Sequence, residues 1–330
     1  MLREKLRMDF LNMTFPISGV TTSVLLPPLI SLVISFFTSM GGISGAFLLL
    51  PFQMSVLNYT APSVSGTNHV YNIVAIPSGV CRYIKEGRMA WPLTWVVIAG
   101  TLPGVFIGYY LRVLFLPDPK TFKLFVGCVL LYMGIRLFKD MLGGNKNRSA
   151  GAKALEEKFR ARAAEIKKEQ SSRMASGIPA DAVVKTISVS LKRVEYEFWG
   201  ERFSFNTMGM FALAFIVGII GGAYGIGGGA IIAPFCVAFF HLPIYTIAGA
   251  TLMGTFITSV AGALFFSVLP AAHGSSPMPD WPLGILFGAG GFIGMYLGAK
   301  TQKYIPQKFI KIFVGTAIML LAITYIVQYF

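Results

Sequence analysis

Gly42-Ile43-Ser44-Gly45-Ala46-Phe47-Leu48-Leu49-Leu50-Pro51-Phe52 and Gly225-Ile226-Gly227-Gly228-Gly229-Ala230-Ile231-Ile232-Ala233-Pro234-Phe235 are two versions of one segment. The same offset pairs Gly66 with Gly249 and Gly79 with Gly262. Further on, Trp91-Pro92 meets Trp281-Pro282, Gly104 meets Gly294 and Gly108 meets Gly298. Lys123, Phe125, Val126 and Gly127 then match Lys311, Phe313, Val314 and Gly315. Ordered similarity of this kind marks an internal duplication, so the chain reads as two halves of one fold.

The composition places that fold in a bilayer. Apolar residues make up 55% of the chain and charged residues 13%, too little polar surface for a soluble protein of 330 residues. A membrane helix needs about 20 apolar residues. Stretches approaching or exceeding that length run over Leu25–Met40, Ala61–Val80, Trp91–Phe115 and Phe122–Phe138 in the first half. Their counterparts are Met208–Tyr224, Ile244–Leu269, Trp281–Gly298 and Phe309–Val327. The net charge of +14 does not point to nucleic acid: half of the Lys and Arg lie between Lys139 and Arg202 among nine acids. The rest cluster at the ends of apolar stretches, where positive charge fixes orientation beside lipid headgroups. Cys81, Cys128 and Cys236 have no metal-ligand spacing and form no disulfide framework.

Past its glycines, each first stretch continues into a second apolar piece, Ala46–Leu57 and Ala230–Phe240. If that piece turns back, each half makes five passes and the halves are inverted. Charge supports inversion: the basic 139–206 segment and Arg82/Lys85/Arg88 fall inside, and His273–Asp280, without Lys or Arg, falls outside. Arg3/Lys5/Arg7 would then lie outside, against the rule. The expected fold is an all-α polytopic membrane protein of two inverted structural repeats with broken Gly-rich helices. Its parts are an N-terminal segment 1–21, repeats 22–140 and 207–330, and a cytoplasmic linker insert 141–206. In the insert, Ala150–Gln170 reads as a solvated helix, and the alternation of Val184–Phe205 around Gly200 as a small β-hairpin.

Glycine clusters inside apolar stretches need a reason, because unpaired backbone groups in lipid cost several kcal/mol each. One reading is a break whose helix N-termini offer N–H groups and partial positive charge to an anion near the midplane. The other is close helix crossing. The candidate substrate-binding residues are Gly42, Ser44, Gly45, Asn68, Asn72, Gly225, Gly227, Gly228, Gly229 and Thr251. Asn68 and Asn72, four apart, share a helix face, which points either into a wet cavity or at a neighbouring helix. His69 faces elsewhere, toward a packing or interfacial role rather than coordination. The predicted spans hold no central Asp or Glu, and no catalytic dyad, metal motif or cofactor motif, so an enzyme is not expected. Gly100–Gly108 and Gly290–Gly298 serve either packing within the chain or a homodimer.

On the twin glycine segments ending in Pro-Phe, the Gly66-Thr67-Asn68 and Gly249-Ala250-Thr251 stretches and the two Trp-Pro starts, the chain resembles the sulfite exporter TauE/SafE family, also called TSUP. The resemblance spans roughly 22–140 and 207–330, not the insert. It implies a secondary carrier of sulfite, sulfonates or related anions in the inner membrane. The expected partners are a small anionic substrate and membrane lipid, with Arg82 or Arg112 gathering anions at the mouths. An anion channel, or a scaffold acting through 150–205, remains the alternative.

Overall fold

A computed structural model of the chain describes residues 12–40, 43–142, 157, 158, 161, 183–270, 276–301 and 307–329. A short hairpin, β1 (Asn12–Thr14) and β2 (Thr21–Ser23), precedes α1 (Leu26–Met40) and α2 (Ala46–Ser55). Then come α3 (Ser63–Ala75), α4 (Pro77–Lys85), α5 (Trp91–Tyr110), a π-helical turn over Leu111–Phe115, and α6 (Pro119–Leu142). A sheet of β3 (Val184–Val189), β4 (Arg193–Phe198) and β5 (Glu201–Asn206) leads into the second half. There follow α7 (Thr207–Tyr224), α8 (Gly229–Phe239), α9 (Ile244–Val268), α10 (Trp281–Thr301) and α11 (Gln307–Val327).

All eight apolar stretches are helical. Four helical segments among the described residues are long and apolar enough to cross a membrane: Trp91–Phe115, Thr207–Tyr224, Thr246–Val268 and Trp281–Gly298. Large apolar side chains, among them Leu29, Val33, Phe106, Ile216, Ile285 and Ile293, stand on the outside. That is tolerable only where lipid replaces water as the neighbour. Ala61–Val80, one stretch in the sequence, is divided into α3 and α4 at Ile76, where Pro77 has no N–H to continue the ladder. Both Trp-Pro pairs open helices. Pro92 and Pro282 occupy first-turn positions that have no intrahelical N–H bond to lose.

The halves are interlocked. α5 leaves its own half to pack along α7 and α9, and α10 reciprocally packs along α1 and α3. α6 and α11 pair with each other. Glycines form both long seams. A Cβ at Gly100, Gly104 or Gly108 would run into the α7 backbone around Phe211, Phe215, Gly218 and Gly222. One at Gly290, Gly294 or Gly298 would run into α1 at Pro28, Leu32 and Phe36. These glycines therefore pack within the chain. Between α6 and α11, Gly127 and Gly134 sit against Tyr325 and Met319.

The insert departs from the expected hairpin in having three antiparallel strands in the order β3-β4-β5. Gly200, at φ 78°, makes the β4–β5 turn as its sequence suggests. The β3–β4 turn contains neither Gly nor Pro. It is closed instead by Ser190, whose Oγ accepts the Arg193 N–H at 3.0 Å and donates to the Arg193 carbonyl at 2.8 Å. One sheet face carries Val194, Tyr196, Phe198, Phe203 and Phe205 into the helical core. The Val184 N–H donates to the Gly87 carbonyl at 2.9 Å, and the Tyr196 hydroxyl bonds Thr246 Oγ1 at 2.9 Å. The sheet is thus fastened to both halves. Most of Ala150–Gln170, the first three residues of His273–Asp280, and all of Arg3/Lys5/Arg7 lie outside the described residues.

Candidate functional site

The second-half glycine segment interrupts the helices. α7 ends at Gly225, whose φ of 86° is the left-handed conformation that closes a helix, with the Gly225 and Ile226 N–H groups both donating to the Gly221 carbonyl. Gly227 is also left-handed, at φ 70°, and α8 starts at Gly229. In the first half, α1 stops at Met40 and α2 starts at Ala46, with Gly45 as its N-cap. Gly42 lies outside the described residues.

Close approach explains where the glycines must be glycine. A Cβ on Gly225 would overlap the Ser65 backbone in α3. Cβ atoms on Gly227 and Gly229 would meet Thr255, Ser259 and the Thr251 carbonyl in α9. Gly228 looks the other way, onto the Thr101 side chain of α5 and Gly218 of α7. Gly45 abuts the Tyr71 hydroxyl and Ser35. The second-half break is therefore wedged among α3, α5, α7 and α9, and the first-half one between α1 and α3.

Asn68 and Asn72 connect the breaks. Ser44 Oγ donates to Asn72 Oδ1 at 2.7 Å, and Asn72 Nδ2 donates to the Ile226 carbonyl at 3.1 Å and to Ser259 Oγ at 3.2 Å. One amide thus holds the first-half segment, the second-half segment and α9. Asn68 Nδ2 donates to the Ala46 carbonyl at 3.0 Å, and its Oδ1 accepts from Gln53 Nε2 at 3.4 Å. Tyr224, at the end of α7, donates to the Phe47 carbonyl at 2.9 Å. Ser44, Gln53, Asn68, Asn72, Thr255 and Ser259 are all fully buried. Burial on this scale requires partners, and this network supplies them except at Gln53 Oε1, which has none among the described residues.

Thr251 lies beside Gly229, but its hydroxyl turns back to the Ala248 carbonyl at 3.2 Å. Ser259 is the α9 side chain that reaches Asn72. The sequence missed it because aligning the halves finds equivalent positions, not facing ones; the i, i+4 series Thr251, Thr255, Ser259 was the available signal. Gln53, a single amide in the apolar run of α2, was missed as well. His69 packs its ring on Gly262 and against Phe266 at 5.9 Å, in line with the packing role expected for it. Among the described residues no cluster of His, Cys, Asp and Glu could hold a metal.

The charges flanking this region differ from a pair of solvated mouth residues. Arg82 Nε bonds Glu86 Oε1 at 2.8 Å, Arg88 pairs with the other Glu86 oxygen, and the Arg88 guanidinium covers the Tyr83 ring at 4.7 Å. Arg112 is fully buried, which corrects its placement at a mouth. Its Nε donates to Ser65 Oγ at 3.3 Å, Nη2 to the Thr60 carbonyl at 2.8 Å and Nη1 to the Leu116 carbonyl. The Phe122 ring lies 3.6 Å from the guanidinium carbon. Aromatic packing shields the group that its position at the end of a span would otherwise leave to water.

Comparison with known proteins agrees with a membrane protein. A family model described as sulfite exporter TauE/SafE matches residues 28–325. The probable membrane transporter protein YunE of Bacillus subtilis is 22% identical over 293 residues, covering 86% of this chain and 90% of that protein. The probable membrane transporter protein YdhB of the same organism is 28% identical over 116 residues, covering 35% of this chain and 44% of that protein. No solved structure matches.

Proposed function

The chain belongs to the sulfite exporter TauE/SafE family of membrane transporters, and from that premise we propose that it is a secondary carrier of sulfite, a sulfonate or a related small anion. The observation that carries this reading is Asn72, whose amide joins Ser44, Ile226 and Ser259 where the two glycine segments meet. In our reading the breaks belong to two inverted repeats that rock against each other, exposing the junction to each side in turn. The reciprocal packing of α5 on the second half and α10 on the first supports such a two-body arrangement. The anion takes up N–H groups at the starts of α2 and α8 together with the Ser44, Asn68 and Asn72 side chains, Thr251 bordering the site through its backbone. Gln53, with an acceptor unpartnered among the described residues, adjusts its amide when the ligand arrives. The protein performs no bond chemistry in this account and works as a multi-pass protein of the inner membrane.

The test is uptake of labelled sulfite into proteoliposomes, competed by sulfonates, sulfate and thiosulfate. Saturable uptake that a panel member competes supports a carrier. Flux that rises linearly with concentration and shows no competition supports a channel instead. Folded protein that moves no member of the panel contradicts an anion carrier of this class.

A further inference from the structure

Arg112 carries a charge for which the described residues provide no counter-ion. It is fully buried and sits in the π-helical turn Leu111–Phe115 that follows α5. Such turns are rare and concentrate at functional positions. Its three acceptors, Ser65 Oγ, the Thr60 carbonyl and the Leu116 carbonyl, are all neutral, and its fourth neighbour is the Phe122 ring. The ion pairs among described residues lie elsewhere, at Glu86, Glu201 and Glu195. Asp280, the buried carboxylate, is taken up by the Ser18 N–H and hydroxyl at 2.9 and 2.8 Å and by the Leu283 N–H.

Neutral acceptors satisfy a guanidinium's donors and leave its charge. A buried charge without an opposite one is costly, so a guanidinium kept in that state is a candidate for a functional role. The position gives that charge a use. Ser65 Oγ, which accepts from Arg112, itself donates to the Ala223 carbonyl at 2.9 Å, and the Ser65 backbone lies against Gly225. The cation is therefore one side chain away from the second-half glycine break.

We propose that Arg112 is the fixed counter-charge of the transported anion and makes the carrier favour dianions over monoanions. This rests on the anion-carrier reading above. Attraction to a fixed charge scales with the charge of the ligand, so the effect of removing it depends on valence. A purely structural role would not show that dependence.

The experiment compares wild type with Arg112→Gln, which keeps hydrogen bonding without charge, and Arg112→Lys, which keeps the charge without the fork. Inhibition constants of thiosulfate and methanesulfonate are measured against labelled sulfite uptake. Arg112→Gln is expected to weaken the dianion about tenfold and the monoanion about threefold, its square root; Arg112→Lys is expected to preserve the wild-type ratio. Should Arg112→Gln fail to fold, Ser65→Asp provides the charge-neutralised protein, because its carboxylate pairs with the guanidinium in place. The same valence-dependent loss is then expected. Equal losses for the two anions would overturn the inference alone. Absence of sulfite uptake by folded wild type would overturn the functional reading and this inference with it.

Discussion

Gly225 and Gly228 separate backbone demands from space demands within one segment. At φ 86° Gly225 adopts a conformation that costs other residues about 1–3 kcal/mol, and a Cβ there overlaps Ser65 as well. Gly225→Ala should therefore lower thermal stability in detergent and also reduce uptake. Gly228 has an ordinary helical φ of −65°, and its neighbour is the Thr101 side chain. Gly228→Leu should still insert into membranes but lose transport, checked by uptake normalised to the protein recovered; full activity in that variant would remove Gly228 from the site. The sequence made these glycines visible because they recur in both halves. It could not show which way each one faces, since a turn with two left-handed residues follows no helical or strand period. Gln53 escaped for a related reason: a single amide in an apolar helix looks the same whether it braces a partner or faces a ligand.

The elements were legible where period and punctuation agree. The eight apolar stretches, the Trp-Pro starts of α5 and α10 and the Gly200 turn were all readable, whereas the Ser190 turn, made by a hydroxyl rather than by Gly or Pro, was not. The GxxxG-like runs announced close packing without saying onto what, because only the folded arrangement shows that α5 and α10 exchange halves. A Gly104→Leu change should separate α5 from α7, and Gly294→Leu should do the same to α10 and α1. Both are expected to abolish the monodisperse peak in size-exclusion chromatography, and to do so to a similar degree. The start of α6 provides a pH test. Asp118 accepts the Thr121 N–H at 2.9 Å and the Thr121 hydroxyl at 3.0 Å, and those bonds hold its carboxyl below the usual range. Its contribution is therefore complete above the ordinary carboxylate pKa and is lost as pH falls through the lower folded value. Asp118→Asn should flatten that part of the acid limb of the melting profile by lowering stability near pH 7 toward its value in acid.

At the scale of the molecule, the inverted-repeat reading makes a claim about sides. The β3–β4 turn and the segment before α10 should face opposite compartments. Leu191, 82% exposed, and Met278, 41% exposed, are suitable labelling positions. Leu191→Cys and Met278→Cys, each in a background lacking the three native cysteines, should react with an impermeant maleimide from opposite faces of the membrane; labelling from the same face would contradict inversion. The sheet fastened to Gly87 and Thr246 must then give way or travel as the halves rock, and it ties the insert to both of them. What the halves meet around is the Asn72 amide. Replacing it strands the Ser44 hydroxyl and the Ile226 carbonyl, at about 1–3 kcal/mol for each buried group left unpaired. The most direct measurement is thus saturable uptake of labelled sulfite by proteoliposomes containing wild type or Asn72→Ala, each verified as folded. The account predicts competable uptake by wild type and its loss in the variant; undiminished uptake by Asn72→Ala would contradict a substrate site at the junction of the two glycine segments.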